Sequence, residues 1–152
     1  MSPRPPEAGA AARLVVRCGN APGVRVTLGD RRRPDEDTVA FSVRLRGEGL
    51  SAKVDDVGLW VWDEDRLPDF FDGLAADVRG WSGERRWTGH RLALSAVFAP
   101  GGRVGLTWTV RPRLPAGASW EAALTTWLDA GRQTADLAAG LRGFLGRPYG
   151  AA

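Results

Sequence analysis

The chain has 152 residues, of which 43% are hydrophobic, so it is long enough for one ordinary domain with a single core. No run approaches the ~18 apolar residues of a membrane-spanning helix. The first residues, MSPRPPEAGAAAR, contain prolines and a glutamate where a secretory signal has its apolar centre. We therefore expect a cytoplasmic protein. Its single cysteine, Cys18, excludes an internal disulfide and is expected to be buried and unreactive.

The net charge of +3 is concentrated near the start of the chain. Residues 1–33 contain seven arginines and two carboxylates, whereas residues 34–152 contain fourteen basic and sixteen acidic groups. Because most of the chain is slightly acidic, the charge balance does not indicate a nucleic-acid-binding protein. Arg31-Arg32-Arg33 is interpreted as a solvated turn, and phosphate contact is the alternative.

The first half alternates apolar and polar residues in a pattern that predicts two hairpins. The predicted strands are 14–18, 24–28, 39–46 and 50–61. A polar loop is predicted over residues 31–37. In the last of these strands the apolar alternation shifts by one residue at Asp55-Asp56. A strict period of two cannot absorb that shift, so we predict a bulge or a break there.

An amphipathic helix is predicted to follow, because apolar residues recur at spacings of three and four. These residues are Leu67, Phe70, Phe71, Leu74, Val78 and Trp81. The helix is expected to have about four turns, with Pro68 in its first turn and Gly80 near its end.

Three adjacent acidic residues, Asp63-Glu64-Asp65, precede this helix. A calcium loop would need glycine at its sixth position and glutamate at its twelfth, where the chain has Pro68 and Leu74. The acidic residues are therefore predicted to cap the helix, since carboxylates stabilise the positive end of a helix dipole.

The second half repeats this order of strands and a helix. The predicted strands are 92–98, 104–110 and 120–128, and the predicted helix is 131–145. The segment Leu74–Trp81 is similar to Leu137–Phe144 at an offset of 63 residues. A weak strand-strand-helix duplication and a coincidence of composition are both compatible with this likeness.

These elements predict an α+β domain with a two-layer antiparallel β-sheet of about seven strands and two amphipathic helices on one face. The N-terminal hairpin either stays in the sheet or curls to make a partial barrel. Residues 1–12 are predicted to be a disordered tail, residues 13–146 a single α+β domain, and residues 147–152 a flexible C-terminus.

Three segments carry a family resemblance: FFDGLAADVRGWSGERRW, RLALSAVFAPGGRVGLTWTVR and ASWEAALTTWLDAGRQTADLAAGLRGFL. Over roughly residues 13–146 the chain resembles the small bacterial proteins grouped as domain of unknown function 6228. The most specific elements are Gly80-Trp81 and Trp87. By analogy of size and element order, the resemblance implies a fold like that of immunity proteins that neutralise toxins.

The sequence offers little for catalysis. His90 is the only histidine, and none of the six serines lies in a Gly-x-Ser-x-Gly turn. A zinc site needs three or four nitrogen or sulfur ligands, which one histidine and one cysteine cannot supply. We therefore expect no catalytic residue, no metal and no cofactor, and a protein that is not an enzyme.

The seven tryptophans point to binding instead. Trp108 and Trp120 share strand faces with aliphatic residues and are predicted to be core residues. The segment GWSGERRWTGH, residues 80–90, is interpreted as a corner that joins helix to sheet and leaves some side chains available to a partner. The candidate partner-binding residues are Trp60, Trp62, Arg86, Trp87, His90 and Trp127. Cover by loops or by the N-terminal hairpin is the alternative.

The sequence therefore predicts a small non-enzymatic protein-interaction domain of immunity-protein type, whose partner is another protein. The alternative is a small-molecule-binding protein or enzyme with a pocket between sheet and helices. No membrane association is expected, and nucleic-acid binding through the arginine-rich N-terminal segment is the least favoured function.

Overall fold

A computed structural model describes residues 12–113 and 119–149. These residues form eight strands and two helices. The strands are β1 (Leu14–Cys18), β2 (Ala21–Asp35), β3 (Thr38–Gly47), β4 (Leu50–Trp60), β5 (Glu84–Thr88), β6 (Leu92–Ala99), β7 (Arg103–Val110) and β8 (Ala122–Asp129). The helices are α1 (Leu67–Ala76) and α2 (Arg132–Leu145). The predicted tail falls outside the described residues except for Ala12.

The strands form two antiparallel sheets, each with its strands in chain order. The first sheet contains β1 to β4 and the second contains β5 to β8, and a helix follows each sheet. The predicted α+β class, the antiparallel pairing and the two helices are confirmed. The prediction of about seven strands in one sheet is approximate, because the described residues form eight strands in two sheets. The N-terminal hairpin remains the edge of the first sheet.

β5, with the sequence ERRWT, was not predicted. Only Trp87 in this strand is buried, so the strand gives no run of alternating apolar residues.

β2 is longer than predicted, because the predicted polar loop continues as strand to Asp35. The Arg31 guanidinium donates to the carbonyl oxygen of Phe144 at 2.7 Å, and Arg33 donates to that of Leu145 at 2.8 Å. The last carbonyls of a helix lack intrahelical donors and form its negative end, so both arginines stabilise the end of α2. Arg32 forms an ion pair with Asp56. The interpretation of these arginines as a solvated turn is therefore wrong.

The predicted bulge in β4 is confirmed. Phe41 pairs with Val57 and Val43 pairs with Val54, so Asp55 and Asp56 together occupy the space opposite one residue of β3. Asp56 has a φ of 60°. The extra residue keeps the apolar side chains on both sides of the bulge directed into the core.

α1 is shorter than predicted and starts differently. It ends at Ala76 after ten residues, and its N-cap, Arg66, makes no side-chain capping bond. The carboxylate of Asp63 instead accepts from the backbone N–H of Trp60, at 3.3 Å. The predicted acidic cap is therefore wrong, whereas Pro68 lies in the first turn as predicted.

The two halves repeat at the level of elements, since each consists of four strands and a helix. The sequence likeness between Leu74–Trp81 and Leu137–Phe144 does not mark equivalent positions throughout. Val78 lies beyond the end of α1 and is 51% exposed, whereas its counterpart Leu141 is buried within α2.

Each helix contacts the sheet of the other half. Phe71 of α1 meets Trp108 of β7 edge to face, with 5.8 Å between ring centroids. Phe144 of α2 meets Phe41 of β3 in the same way at 5.7 Å. The buried apolar residues of both sheets and both helices form one cluster. The core is therefore shared between the halves.

A polar contact also joins the helices. The Arg142 guanidinium of α2 binds Asp69 at 3.2 Å and also binds Asp72, both of α1. The hydrogen bond to Asp72 raises the pKa of Arg142 above its usual value. This pair fixes the two helices side by side.

The sheets meet at the edges of β1 and β8. The backbone N–H of Gly19 donates to the carbonyl oxygen of Trp127 at 2.8 Å. Cys18 is buried as predicted, and its sulfur accepts from the N–H of Trp127 at 3.4 Å. Residues 147–149, assigned from the sequence to a flexible C-terminus, turn back so that Tyr149 is buried beside Arg66. Neither helix among the described residues is long and apolar enough to cross a membrane.

The second sheet contains a buried polar contact that can be tested. The indole N–H of Trp108 donates to the hydroxyl oxygen of Thr126 at 3.1 Å, and that hydroxyl donates to the carbonyl oxygen of Leu106. Thr126→Val leaves the buried indole N–H of Trp108 without its acceptor and should lower the free energy of unfolding by about 1–3 kcal/mol. The control is Thr125→Val on the opposite face, where the hydroxyl is only partly buried. Equal effects of the two substitutions in urea denaturation would contradict this account.

Candidate partner-binding surface

Two clefts flank the segment 61–66, which joins β4 to α1. The first, which we call cleft A, has a volume of about 550 Å³ and lies between the end of β4 and the turn from β5 to β6. The second, cleft B, has a volume of about 840 Å³ and lies between this segment, β2 and the end of α2. Both clefts are open to solvent.

The two most exposed tryptophans stand where the clefts adjoin. Trp60 is the last residue of β4, is 51% exposed and lines cleft A. Trp62 is 66% exposed and lines cleft B. Val61 between them is held by a 2.9 Å bond from its N–H to the carbonyl oxygen of Asp37. We call Trp60 and Trp62 the tryptophan rim.

The clefts differ in charge. Cleft A is lined by Asp63, Glu64 and Asp65, together with the exposed His90. Within the described ranges, no group of three or more histidine, cysteine or acidic side chains could hold a metal ion.

Cleft B has more basic than acidic residues. Its cations are Arg31, Arg33, Arg66 and Arg147, and its acidic residues are Glu36 and Asp37. Arg31 and Arg33 belong to the run Arg31-Arg32-Arg33, and the fold brings Arg66 and Arg147 to them from the N-cap of α1 and the end of α2.

Trp87 is not available to a partner. It is only 3% exposed, and its indole N–H donates to the carbonyl oxygen of Asp65 at 2.9 Å. Gly89 leaves the space for the ring, because a Cβ atom at that position would lie 2.2 Å from the Trp87 ring. The prediction that Trp87 contacts a partner is therefore wrong, and the residue is a wall of cleft A.

Arg86 lies outside both clefts. It is exposed on β5 and forms an ion pair with Glu84. The hydroxyl of Ser95 donates to Glu84 at 2.6 Å, and this hydrogen bond, with that of Arg86, lowers the pKa of Glu84. Arg86 is thus accessible but already has a partner within the sheet.

Trp127 lies at the other edge of the second sheet, on β8, three strand spacings or about 14 Å from β5. It is half-buried, and its ring lies against Gly105 with the Arg103 guanidinium 5.5 Å from the ring centroid. The structure therefore brings Trp60, Trp62 and His90 together and separates them from Arg86 and Trp127.

The remaining tryptophans have different environments. Trp108 is fully buried as predicted. Trp120 is 41% exposed, so its prediction as a core residue is wrong. It precedes β8, which begins at Ala122, and no strand pairing directs its side chain inward. Trp81 is half-buried between Phe98 and Arg85.

A family model described as a family of unknown function, DUF6228, matches residues 17–148. The chain belongs to this family. The match spans both sheets and both helices, so the DUF6228 region includes the tryptophan rim and both clefts. No curated protein and no solved structure matches the chain. The predicted resemblance is confirmed, and the function has to be argued from the surface.

The different environments of Trp87 and Trp62 give a stability test. Trp87→Ala removes a buried ring and leaves the carbonyl oxygen of Asp65 without its donor, so the free energy of unfolding should fall by about 3–5 kcal/mol. Trp62→Ala removes an exposed ring and should change it by less than about 0.5 kcal/mol. Urea denaturation measures both values. A loss below 1 kcal/mol for Trp87→Ala would show that this ring is not part of the core.

Proposed function

We propose that the protein is a non-enzymatic protein-interaction domain that binds another protein through the tryptophan rim. The observation that carries this proposal is the pair of neighbouring tryptophans, more than half exposed, at the junction of two clefts. Tryptophan and arginine are the residues that most often dominate the binding energy of protein interfaces. Here Trp62 shares cleft B with Arg33, Arg66 and Arg147.

The geometry suits docking of a preformed surface. The backbone around the rim is fixed by the bond from Val61 to Asp37 and by the bond from Trp60 to Asp63. A surface that is already ordered loses little conformational entropy when it binds. Each ring can bury a large apolar area against a partner while its indole N–H bonds to a polar group.

The specific form of this function that we propose is that of an immunity-like inhibitor in the bacterial cytoplasm. The support is an analogy of size and element order, together with a single unpaired cysteine, which suits a reducing compartment. An inhibitor of this kind covers the active surface of its partner, so partner activity should fall as the complex forms.

Cleft A supports a second candidate function, the binding of a small molecule or an enzymatic reaction on one. Its volume of about 550 Å³ lies within the range of small-molecule sites, and it combines the apolar ring of Trp87 with His90 and three acidic residues. A ligand of cleft A should raise the melting temperature of the wild type but not that of His90→Ala, whereas Trp62→Ala should respond like the wild type.

The docking proposal predicts which substitutions abolish binding. A partner captured from a lysate of the source cells is purified, and its affinity is measured by calorimetry. The double variant Trp60→Ala/Trp62→Ala should bind at least about 30-fold more weakly, since a typical pair of buried anchors contributes 2 kcal/mol or more. The control Trp120→Ala removes an exposed tryptophan elsewhere and should keep the affinity within about 2-fold.

Thermal denaturation verifies that all variants are folded. Unchanged affinity of the double variant, or equal losses for the double variant and Trp120→Ala, would contradict docking through the rim.

A further inference from the structure

The outward face of the first sheet collects positive charge. The alternation of β1, β2, β3 and β4 directs their apolar residues into the core and the intervening residues to solvent. The cations on this side are Arg13, Arg17, Arg25, Arg44, Arg46 and Lys53. We call these six residues the basic face. Three come from the arginine-rich start of the chain and three from β3 and β4.

Strand register places the cations directly opposite one another. Arg17 pairs with Arg25, and Arg25 pairs with Arg46, so three arginines form one row across three strands. In the next row on this side Thr27 pairs with Arg44, and Arg44 pairs with Lys53. Opposed side chains in a sheet have Cβ atoms about 5 Å apart, and like charges at that separation destabilise the sheet. A negatively charged partner would remove this repulsion.

Few carboxylates neutralise the basic face. Asp30 and Asp55 each lie 3.4 Å from the Lys53 ammonium. The hydroxyl of Ser42 donates to Asp30 at 2.8 Å, and this bond, with the hydrogen bond and charge of Lys53, lowers the pKa of Asp30. Within residues 12–113 and 119–149, no carboxylate forms a salt bridge with any of the five arginines.

The charge is a property of this face rather than of the whole surface. The outward positions of the second sheet include the uncharged Ser95, Thr107 and Thr125, and its charged residues are matched: Arg86 is paired with Glu84, and Arg103 lies opposite Asp129. The high arginine content of the chain alone would have charged both sheets.

The composition of the basic face selects the class of partner. Protein interfaces have aromatic residues at their centre and few charges there, and proteins that hold single-stranded nucleic acid stack bases on aromatic rings. No aromatic residue lines the basic face, and the hydroxyl of Thr27, which lies beside Arg44, can donate. Guanidinium groups with hydroxyl donors match the oxygens of successive phosphates.

We infer that the basic face binds the phosphate backbone of duplex nucleic acid without reading its sequence. This site is distinct from the tryptophan rim. Trp60 pairs with Thr38, six residues along β3 from Arg44, which corresponds to about 20 Å. The two surfaces can therefore be tested separately.

The test measures binding of the full chain to a labelled 20-base-pair DNA duplex of mixed sequence by fluorescence anisotropy, between 25 and 200 mM salt. With about five phosphate contacts, the logarithm of the association constant should fall against the logarithm of the salt concentration with a slope near −4.5, about −0.9 for each contact. Arg25→Glu/Arg44→Glu should weaken binding at least about 10-fold and reduce the steepness of the slope by about 2.

The matched control is Arg79→Glu/Arg86→Glu, which makes the same change in net charge at exposed positions, the second of them on β5, the edge of the second sheet opposite to β8. It should weaken binding less than about 3-fold, because screening limits the effect of distant charges. Trp60→Ala/Trp62→Ala should bind the duplex like the wild type. If the glutamate variant does not fold, Arg25→Gln/Arg44→Gln removes the two charges and also their repulsion with the cations on the neighbouring strands.

Three results would overturn the inference. The first is no binding to the duplex at 25 mM salt, and the second is equal weakening by the test and control variants. The third is binding of poly-glutamate as tight as that of the duplex, which would assign the basic face to an acidic protein instead.

Discussion

The packing of each helix on the sheet of the other half is the constraint on which the rest of the structure depends. Phe71 of α1 lies against Trp108, and Phe144 of α2 lies against Phe41. Burial of apolar area is the main stabilising contribution to folding, and here the buried apolar residues of both halves form one cluster. The inward side of both sheets is therefore used for stability, so binding groups have to lie on the edges and outward faces.

Because of this constraint, residues of the same type have different roles in the structure. Arg31 and Arg33 bind the carbonyls at the end of α2, where they hold a helix of the second half against the first sheet. Arg25 and Arg44, on the same sheet, point to solvent and face other cations. Trp87 and Trp60 differ in the same way, since Trp87 fills a space between segments and Trp60 is left outside. Position in the shared core thus decides which side chains are available to a partner.

Local patterns were sufficient for much of the fold, because strand alternation and helical spacing record burial directly. They placed the strands ending at Cys18 and Val110, the bulge at Asp55-Asp56 and the whole of α2. They failed where the deciding contact is remote in sequence. β2 continues past Arg31 because Arg31 binds the carbonyl oxygen of Phe144, which is more than a hundred residues away. Trp87 is buried where its indole N–H donates to the carbonyl oxygen of Asp65. Of the candidate site, the rim and the exposure of His90 were accessible to such reasoning, whereas the grouping of Arg31 and Arg33 with Arg66 and Arg147 in cleft B was not.

The shared core can be tested most directly by dividing the chain in the exposed turn at Gly83, where an added side chain would meet no other atom within 4 Å. Fragments 1–82 and 83–152 are purified separately and then mixed, and unfolding in urea is followed by circular dichroism. We expect that neither fragment alone unfolds cooperatively and that the equimolar mixture forms a one-to-one complex that does. Cooperative unfolding of either fragment alone would contradict it.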